Sequence, residues 1–430
     1  MTLELLLRRR DFLVRTGLVL GAAGLGGITT GCDTGSGSEA QVSQPSVATG
    51  SWAGVRAQFA LDAKLRHFSA FYLASHPRPV REAIDRHRQG LDADPAGYVH
   101  ENQVALEGKV VQAAASYLGA RAEDFAFPDS TTMGLGLLYG GLAVGPGQDI
   151  LTTEHDFYST HESLRLRSER DGAKIRRVRL YDEPAQASED EIVSRLVEAV
   201  RPETRVVAVT WVHSGTGVKL PITAIASALA DRRRGDATKR LLLCVDAVHA
   251  LGAEEMGLRD LGVDFVVAGC HKWLFGPRGT GTPLTDNEEL FAWIDSQAPS
   301  KPTNALTMTP GGFHSFEHRW ALAEAFDFQR TIGMEAVAKR TRGLARRLKE
   351  GLAEIGGVTL HTPNDEAVSA GLVTFEIEGR RPDQVVDELG LKGIVATVTP
   401  YAAEYVRLGT TVLVSEDDVD AAIREVAALA

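Results

Sequence analysis

The residues that could do chemistry in this sequence fall in five short motifs between positions 129 and 281. The richest is GCHKWLFGPRGTG (269–281), where Lys272 follows an apolar run and precedes a glycine-rich turn. A lysine desolvated at such a spot has a lowered pKa and can attack a carbonyl as a neutral amine. In VDAVHALG (245–252), Asp246 ends another apolar run. A carboxylate there is costly unless it meets a cation or strong donor, and a protonated pyridine nitrogen is one such partner. A helix N-cap would place an Asp there too. His249, three positions on, could donate to a ring oxygen or close the turn. DSTTMGLGLL (129–138) opens a helical run with hydroxyls, Thr131 and Thr132 among them, which suits a phosphate or a simple cap. LTTEHDFYSTHESLR (151–165) offers His155 and several aromatics that could stack on a flat ring, though a lone His is more often structural. VTWVHSGTGVKLPI (209–222) brings His213, Ser214 and a glycine turn.

These side chains need a frame to bring them together. RVVAVTWV (205–212), RLLLCVDAV (240–248) and DFVVAGC (264–270) are short, β-branched and nearly uncharged, as strands buried on both faces are. Between the first two, ITAIASALADRRR (222–234) keeps its apolar residues on one side and predicts a helix. This alternation predicts an α/β fold with a mostly parallel sheet and right-handed crossovers. In such a sheet, ligands sit beyond the carboxyl ends of the strands, where the motifs would meet. MEAVAKRTRGLARRLKEGLAEI (334–355) predicts an amphipathic helix, and GLVTFEI (371–377) and YVRLGTTVLV (405–414) predict strands. The tail therefore reads as a separate, smaller α+β unit.

With 430 residues, 44% hydrophobic and 24% charged, the chain can fill two domains and is neither disordered nor a multi-span membrane protein. A net charge of −11 argues against non-specific nucleic-acid binding. The three cysteines, Cys32, Cys244 and Cys270, offer no disulfide framework and no four-cysteine zinc site. At the N-terminus, Arg8, Arg9 and Arg10 open R-R-R-D-F-L ahead of an apolar stretch, Gly17 to Ile28, too short to span a bilayer. This resembles a twin-arginine (Tat) export signal. The following I-T-T-G-C, with Cys32 at the start of a small polar linker, resembles a lipoprotein processing site. The expectation is an exported protein, periplasmic or held at the cell envelope by lipid on Cys32.

Taken in order, STT, EH, HSGTG, VDAVH and CHKW-x-x-x-P-x-G resemble the class V aminotransferase family of pyridoxal-phosphate enzymes, fold type I, and within it the isopenicillin N epimerase-like subgroup. The resemblance spans roughly residues 60–430. The export-signal and lipoprotein-like motifs imply a signal over 1–31 and a flexible linker over 32–58, and the family resemblance implies an N-terminal segment and large cofactor-binding domain over 59–310 and an interdomain helix with a small domain over 311–430. It implies a Schiff base on Lys272, and Asp246 holding the proton on the pyridine nitrogen. His249 would lie near the ring oxygen and His155 over the ring face. Thr131, Thr132, Ser214 and His271 would join the cofactor site, the two threonines and His271 cradling its phosphate. Arg407 would clamp a substrate carboxylate, and His314, Ser315 or Arg319 would reach the site of a second subunit in a homodimer.

Departures from the family pattern narrow the chemistry. Ser214 stands where cysteine desulfurases have Asn, and Gly269 where they have a phosphate-binding hydroxyl. The stretch VATVTPYAAEY (395–405) lacks the cysteine that persulfide chemistry needs, while Tyr401 or Tyr405 could line a pocket there. The expected activity is aminotransferase-type chemistry at the α-amino group of an amino acid or amino-acid moiety. Combined with export, it points to tailoring of a secondary metabolite or siderophore. Epimerisation and C–S or β-elimination are the alternatives on the same fold. From another class, His314, Glu317 and His318 spell H-x-x-E-H, a zinc-hydrolase pattern, but Pro310, Gly311 and Gly312 put His314 at a helix start, and no metal is expected.

Overall fold

The computed structural model describes residues 50–233, 241–284, 309 and 313–430. The expected signal, Cys32, most of the linker and the expected boundary at 310/311 lie outside these residues. Helices α1 (Arg78–Ala93) and α2 (Pro95–Leu118) lead into α3 (Thr131–Gly141). Strand β1 (Asp149–Thr153), helix α4 (Tyr158–Asp171), strand β2 (Lys174–Val178), helix α5 (Glu189–Ala199) and strand β3 (Thr204–Thr210) follow. Then come α6 (Ile222–Ala228), β4 (Leu242–Asp246), β5 (Phe265–Gly269) and β6 (Gly281–Leu284). These six strands form one sheet in the order β2-β1-β3-β4-β5-β6, parallel except for β6.

The apolar runs work as fully buried strands because their side chains alternate between two helical layers. Val207, Val209, Leu243, Val245, Val266 and Ala268 join the core on one face. Val206, Ala208, Leu242, Cys244, Phe265 and Val267 pack on the other, against Leu135, Leu138 and Tyr139 of α3 and Leu164 of α4. Strand β2, KIRRV, is the edge and carries the charge an exposed edge needs.

The second sheet is antiparallel. Helices α7 (Phe316–Ile332) and α8 (Met334–Ala353) precede β7 (Val358–Leu360) and β8 (Leu372–Ile377). Helix α9 (Pro382–Leu391), β9 (Thr397–Val398), β10 (Val406–Gly409) and α10 (Glu416–Leu429) complete the chain in the order β9-β10-β8-β7. Leu344, Leu348 and Leu352 of α8 pack there against Val373, Phe375, Val406, Leu408 and Val426.

Two expected elements depart from what their composition suggests. The helix over 222–234 is interrupted at Leu229, with α6 before it and a four-residue helix, Ala230–Arg233, after it. The strand over 405–414 ends at Gly409. The Thr410 N–H still donates to Gly371 O at 2.8 Å, opposite it in the β10–β8 register, and its hydroxyl donates to Thr341 O at 3.0 Å, but the chain turns at 412–413.

Candidate active site

The carboxyl ends of β3, β4 and β5 open onto a cavity of about 540 Å³. Asp246 is the last residue of β4 and Lys272 stands three residues past β5, and both line it. Asp246 is 2% exposed, and the Val248 N–H donates to its Oδ1 at 3.0 Å. Burial pushes its carboxyl up to about 7, against the opposing pull of that N–H and of the Lys272 ammonium. Burial also brings Lys272 down to about 8, with Asp246 pulling upward and Arg407 adding to the fall. The pair thus offers an amine with a substantial neutral fraction near pH 8 and a carboxyl that lacks a fully compensating cation.

His249 lines the same wall, and its Nδ1 accepts from Trp273 Nε1 at 3.1 Å. Burial, then Lys272 and Arg407, hold its pKa well below the usual histidine range. Opposite, Ser130 caps α3 by accepting from the Met133 N–H at 3.1 Å, so capping and site geometry coexist at one helix start. Ser130, Thr131 and Thr132 all face the cavity.

The donors here fit an anionic group. Thr131 Oγ1, His271 Nδ1 and Thr210 Oγ1 are buried without a hydrogen-bond partner, and all three residues line the cavity. Beneath them, a Cβ on Gly269 would come within 2.8 Å of Thr131 Oγ1 and 3.1 Å of His271 Cε1. A glycine there leaves room for oxygen atoms against a helix N-terminus, where a phosphate is stabilised by N–H groups and dipole.

The far wall comes from the second sheet. Arg407 on β10 donates through Nη1 to Ser214 O at 3.1 Å and through Nε to Thr397 Oγ1 at 3.0 Å. Its guanidinium lies 4.6 Å from the centre of the Phe71 ring, a cation–π contact that fixes its plane. Ser214 Oγ and Tyr401 OH are hydrogen-bonded at 2.7 Å, and both residues line the cavity. Tyr405 does not; it stacks on His361 with centroids 3.7 Å apart.

The structure does not bring every expected residue here. His155 is absent from the cavity wall: it stacks on Tyr181 at 3.9 Å between centroids and accepts from the Leu180 N–H at 3.3 Å. Phe157, two residues on, faces the cavity instead. The cause is Asp156, whose Oδ2 accepts from Thr152 Oγ1, Thr153 N and Thr153 Oγ1 at 2.7–2.9 Å and whose Oδ1 accepts from Thr210 N at 2.7 Å. That clamp ties β1 to β3 and turns residues 155 and 157 to different sides. His314 lies 3.5 Å from Glu107, before α7 begins, whereas His318 bonds Arg278 O at 3.0 Å. The H-x-x-E-H residues therefore do not share a helix face, and among the described residues no cluster of three His, Cys, Asp or Glu could hold a metal. Phe71 and Tyr72 line the site without any motif to mark them, and Ser159 and Thr210 line it from inside two of the motifs without having been singled out there.

Known proteins resemble this chain in sequence and in fold. The family model Aminotransferase class-V matches residues 77–421. Isopenicillin N epimerase of Amycolatopsis lactamdurans is 27% identical over 345 residues, covering 76% of this chain and 84% of that protein. A probable cysteine desulfurase of Pyrococcus abyssi is 24% identical over 355 residues, covering 78% and 84%. Among solved structures, a mutant of the cystine C–S lyase C-DES with glycine covalently linked to its PLP cofactor superposes with a TM-score of 0.77. It is 20% identical over 86% of this chain and 98% of its own. The apo cysteine desulfurase of Thermococcus onnurineus NA1 gives a TM-score of 0.74 at 20% identity, covering 88% and 97%. At that identity the two structures speak for the fold alone.

Proposed function

Because the chain belongs to the class V aminotransferase family of pyridoxal-phosphate enzymes, we propose that its cavity holds pyridoxal 5′-phosphate and acts at the α-amino group of an amino acid or amino-acid moiety. One observation carries this: Lys272, Asp246, the hydroxyls at the α3 N-terminus and Arg407 converge on a single cavity. When bound, the cofactor supplies an electron sink for the pair left as a bond at Cα breaks. Lys272 would supply the amine that holds it and would carry a proton to or from Cα. Asp246 would keep a proton on the ring nitrogen, a cation that would favour the ionised carboxylate. Thr131, Thr132 and His271 would hold the phosphate, His249 would donate to a ring oxygen, and Phe157, which lines the cavity where His155 does not, would lie against the ring. Arg407 forks onto the substrate carboxylate, with Ser214 and Tyr401 beside it.

Epimerisation is the second reading, supported by the likeness to isopenicillin N epimerase. Persulfide transfer is disfavoured, since 395–405 holds no cysteine and Cys244 and Cys270 are buried. Exposed Met133, Leu137, Tyr158 and Leu166 on the adjoining helices α3 and α4 support a homodimer. The R-R-R-D-F-L segment and Cys32 support Tat export and a lipid anchor, and with them a role in tailoring an exported metabolite. Fractionation of cells carrying twin-lysine and Cys32→Ser variants tests that location.

The activity is tested by reconstituting the protein with pyridoxal phosphate. A visible absorption band should appear, Lys272→Ala should abolish it, and borohydride should fix the cofactor to the Lys272 peptide by mass spectrometry. Amino compounds are then screened in D2O. Loss of the visible band with release of a keto acid identifies amino transfer, whereas deuterium at Cα with inversion identifies epimerisation. A wild-type chain that binds no cofactor refutes the proposal.

A further inference from the structure

We propose that Trp273 is a positioning residue that locks His249 in a single tautomer, with its proton on Nε2, so that the imidazole serves the cavity only as a hydrogen-bond donor. An indole N–H can only donate, and at 3.1 Å it is aimed at His249 Nδ1. Nδ1 must therefore present its lone pair, and a neutral imidazole then carries its one proton on Nε2. A second proton would set N–H against N–H in a buried site. Lys272 and Arg407, the charged groups acting on His249, both oppose a positive ring, as burial does.

The lock is rigid because Trp273 has nowhere to go. It is 2% exposed, and its carbonyl accepts from Gln329 Nε2 at 2.9 Å. Gly252, at φ +85°, packs beneath its backbone so closely that a Cβ would lie 2.6 Å from the Trp273 carbonyl carbon. The Phe71 ring stands 6.3 Å from the His249 ring and 6.4 Å from the indole, holding both. This arrangement removes His249 as a base and leaves Lys272 as the residue beside it that can take a proton from substrate. That His249 meets a cofactor oxygen rests on the function proposed above; the tautomer itself does not.

The test uses 15N-histidine NMR on the full protein, before and after loading with pyridoxal phosphate, with His249 assigned from the spectrum of His249→Gln. Wild type should show two well-separated nitrogen resonances for His249, a protonated Nε2 and a bare Nδ1. Trp273→Phe should draw them together as the tautomers mix. In the loaded protein, His249→Gln should keep the wild-type absorption maximum, because its amide oxygen can accept from Trp273 while its NH2 donates inward; His249→Glu, held ionised by Lys272 and Arg407 and so without a proton to donate, should shift it. A protonated Nδ1 in wild type, or nitrogens unmoved by Trp273→Phe, overturns the proposal. If Trp273→Phe does not fold, equal shifts in the Gln and Glu variants overturn it instead. Failure to load the cofactor would sink the functional reading but leave the NMR comparison intact.

Discussion

Asp246→Asn in the cofactor-free protein should change how stability responds to pH. The carboxyl rises from 3.8 to about 7 on folding, mainly through burial. Between those values the native state keeps a proton that the unfolded chain has lost, so stability falls as pH rises. A rise of roughly 3 pH units, at about 1.36 kcal/mol each, is worth about 4 kcal/mol over the whole window. Between pH 5 and pH 8 roughly 2 units remain, or about 3 kcal/mol. At 2% exposure the group gains little relief from solvent. Asn keeps an oxygen for the Val248 N–H and has nothing to ionise. Urea unfolding at pH 5 and pH 8 should therefore show wild type losing about 3 kcal/mol more than Asp246→Asn across that interval. Loading the cofactor should erase the difference, since a ring cation restores the ionised carboxylate. Parallel pH responses of the two cofactor-free proteins would refute a buried carboxyl that awaits a cation.

Gly269→Ser should weaken cofactor binding roughly tenfold, about 1.4 kcal/mol, by crowding Thr131 and His271, as read by titration of the visible band. Arg407→Met should lower kcat/KM for carboxylate substrates about 100-fold, roughly 3 kcal/mol, while leaving that band in place. Asp156→Asn should cost about 2–3 kcal/mol in denaturant unfolding, because an NH2 replaces an oxygen that accepts buried donors; an unchanged midpoint would show the β1–β3 clamp to be unimportant.

Much of the site was legible because position is encoded locally. An apolar run followed at once by Asp246, or by His271 and Lys272, marks the end of a buried strand, and in a parallel sheet those ends share one edge. The choice between His155 and Phe157 was not legible. Both occupy one motif, and their facing is set by Asp156 reaching 54 residues along the chain to Thr210 N. Thr210 itself reads as one more strand residue until its hydroxyl is found buried without a partner. The Thr-rich end of the 405–414 run misled because β-branched composition favours a strand, whereas the ladder runs out with the Thr410 N–H bond to Gly371 O and the chain turns at 412–413. Arg407 came from family resemblance, since its partners Ser214 and Phe71 lie far away in sequence.

Phe71 precedes the stretch matched by the family model, which begins at residue 77. Its short segment is nonetheless stitched to the lysine loop, with the Ala74 N–H donating to His271 O at 3.0 Å, and to β10, with the Gly409 N–H donating to Phe68 O at 2.7 Å. Phe71 sets the plane of Arg407, and Tyr72 beside it stands 66% exposed on the cavity wall. The rim that greets the incoming molecule is therefore encoded partly outside the stretch that carries Arg407, Ser214 and Tyr401. Within the upstream segment Phe71 is tied to Arg407, His249 and Trp273, so the exposed Tyr72 is the position to vary first in redirecting this scaffold to a new substrate.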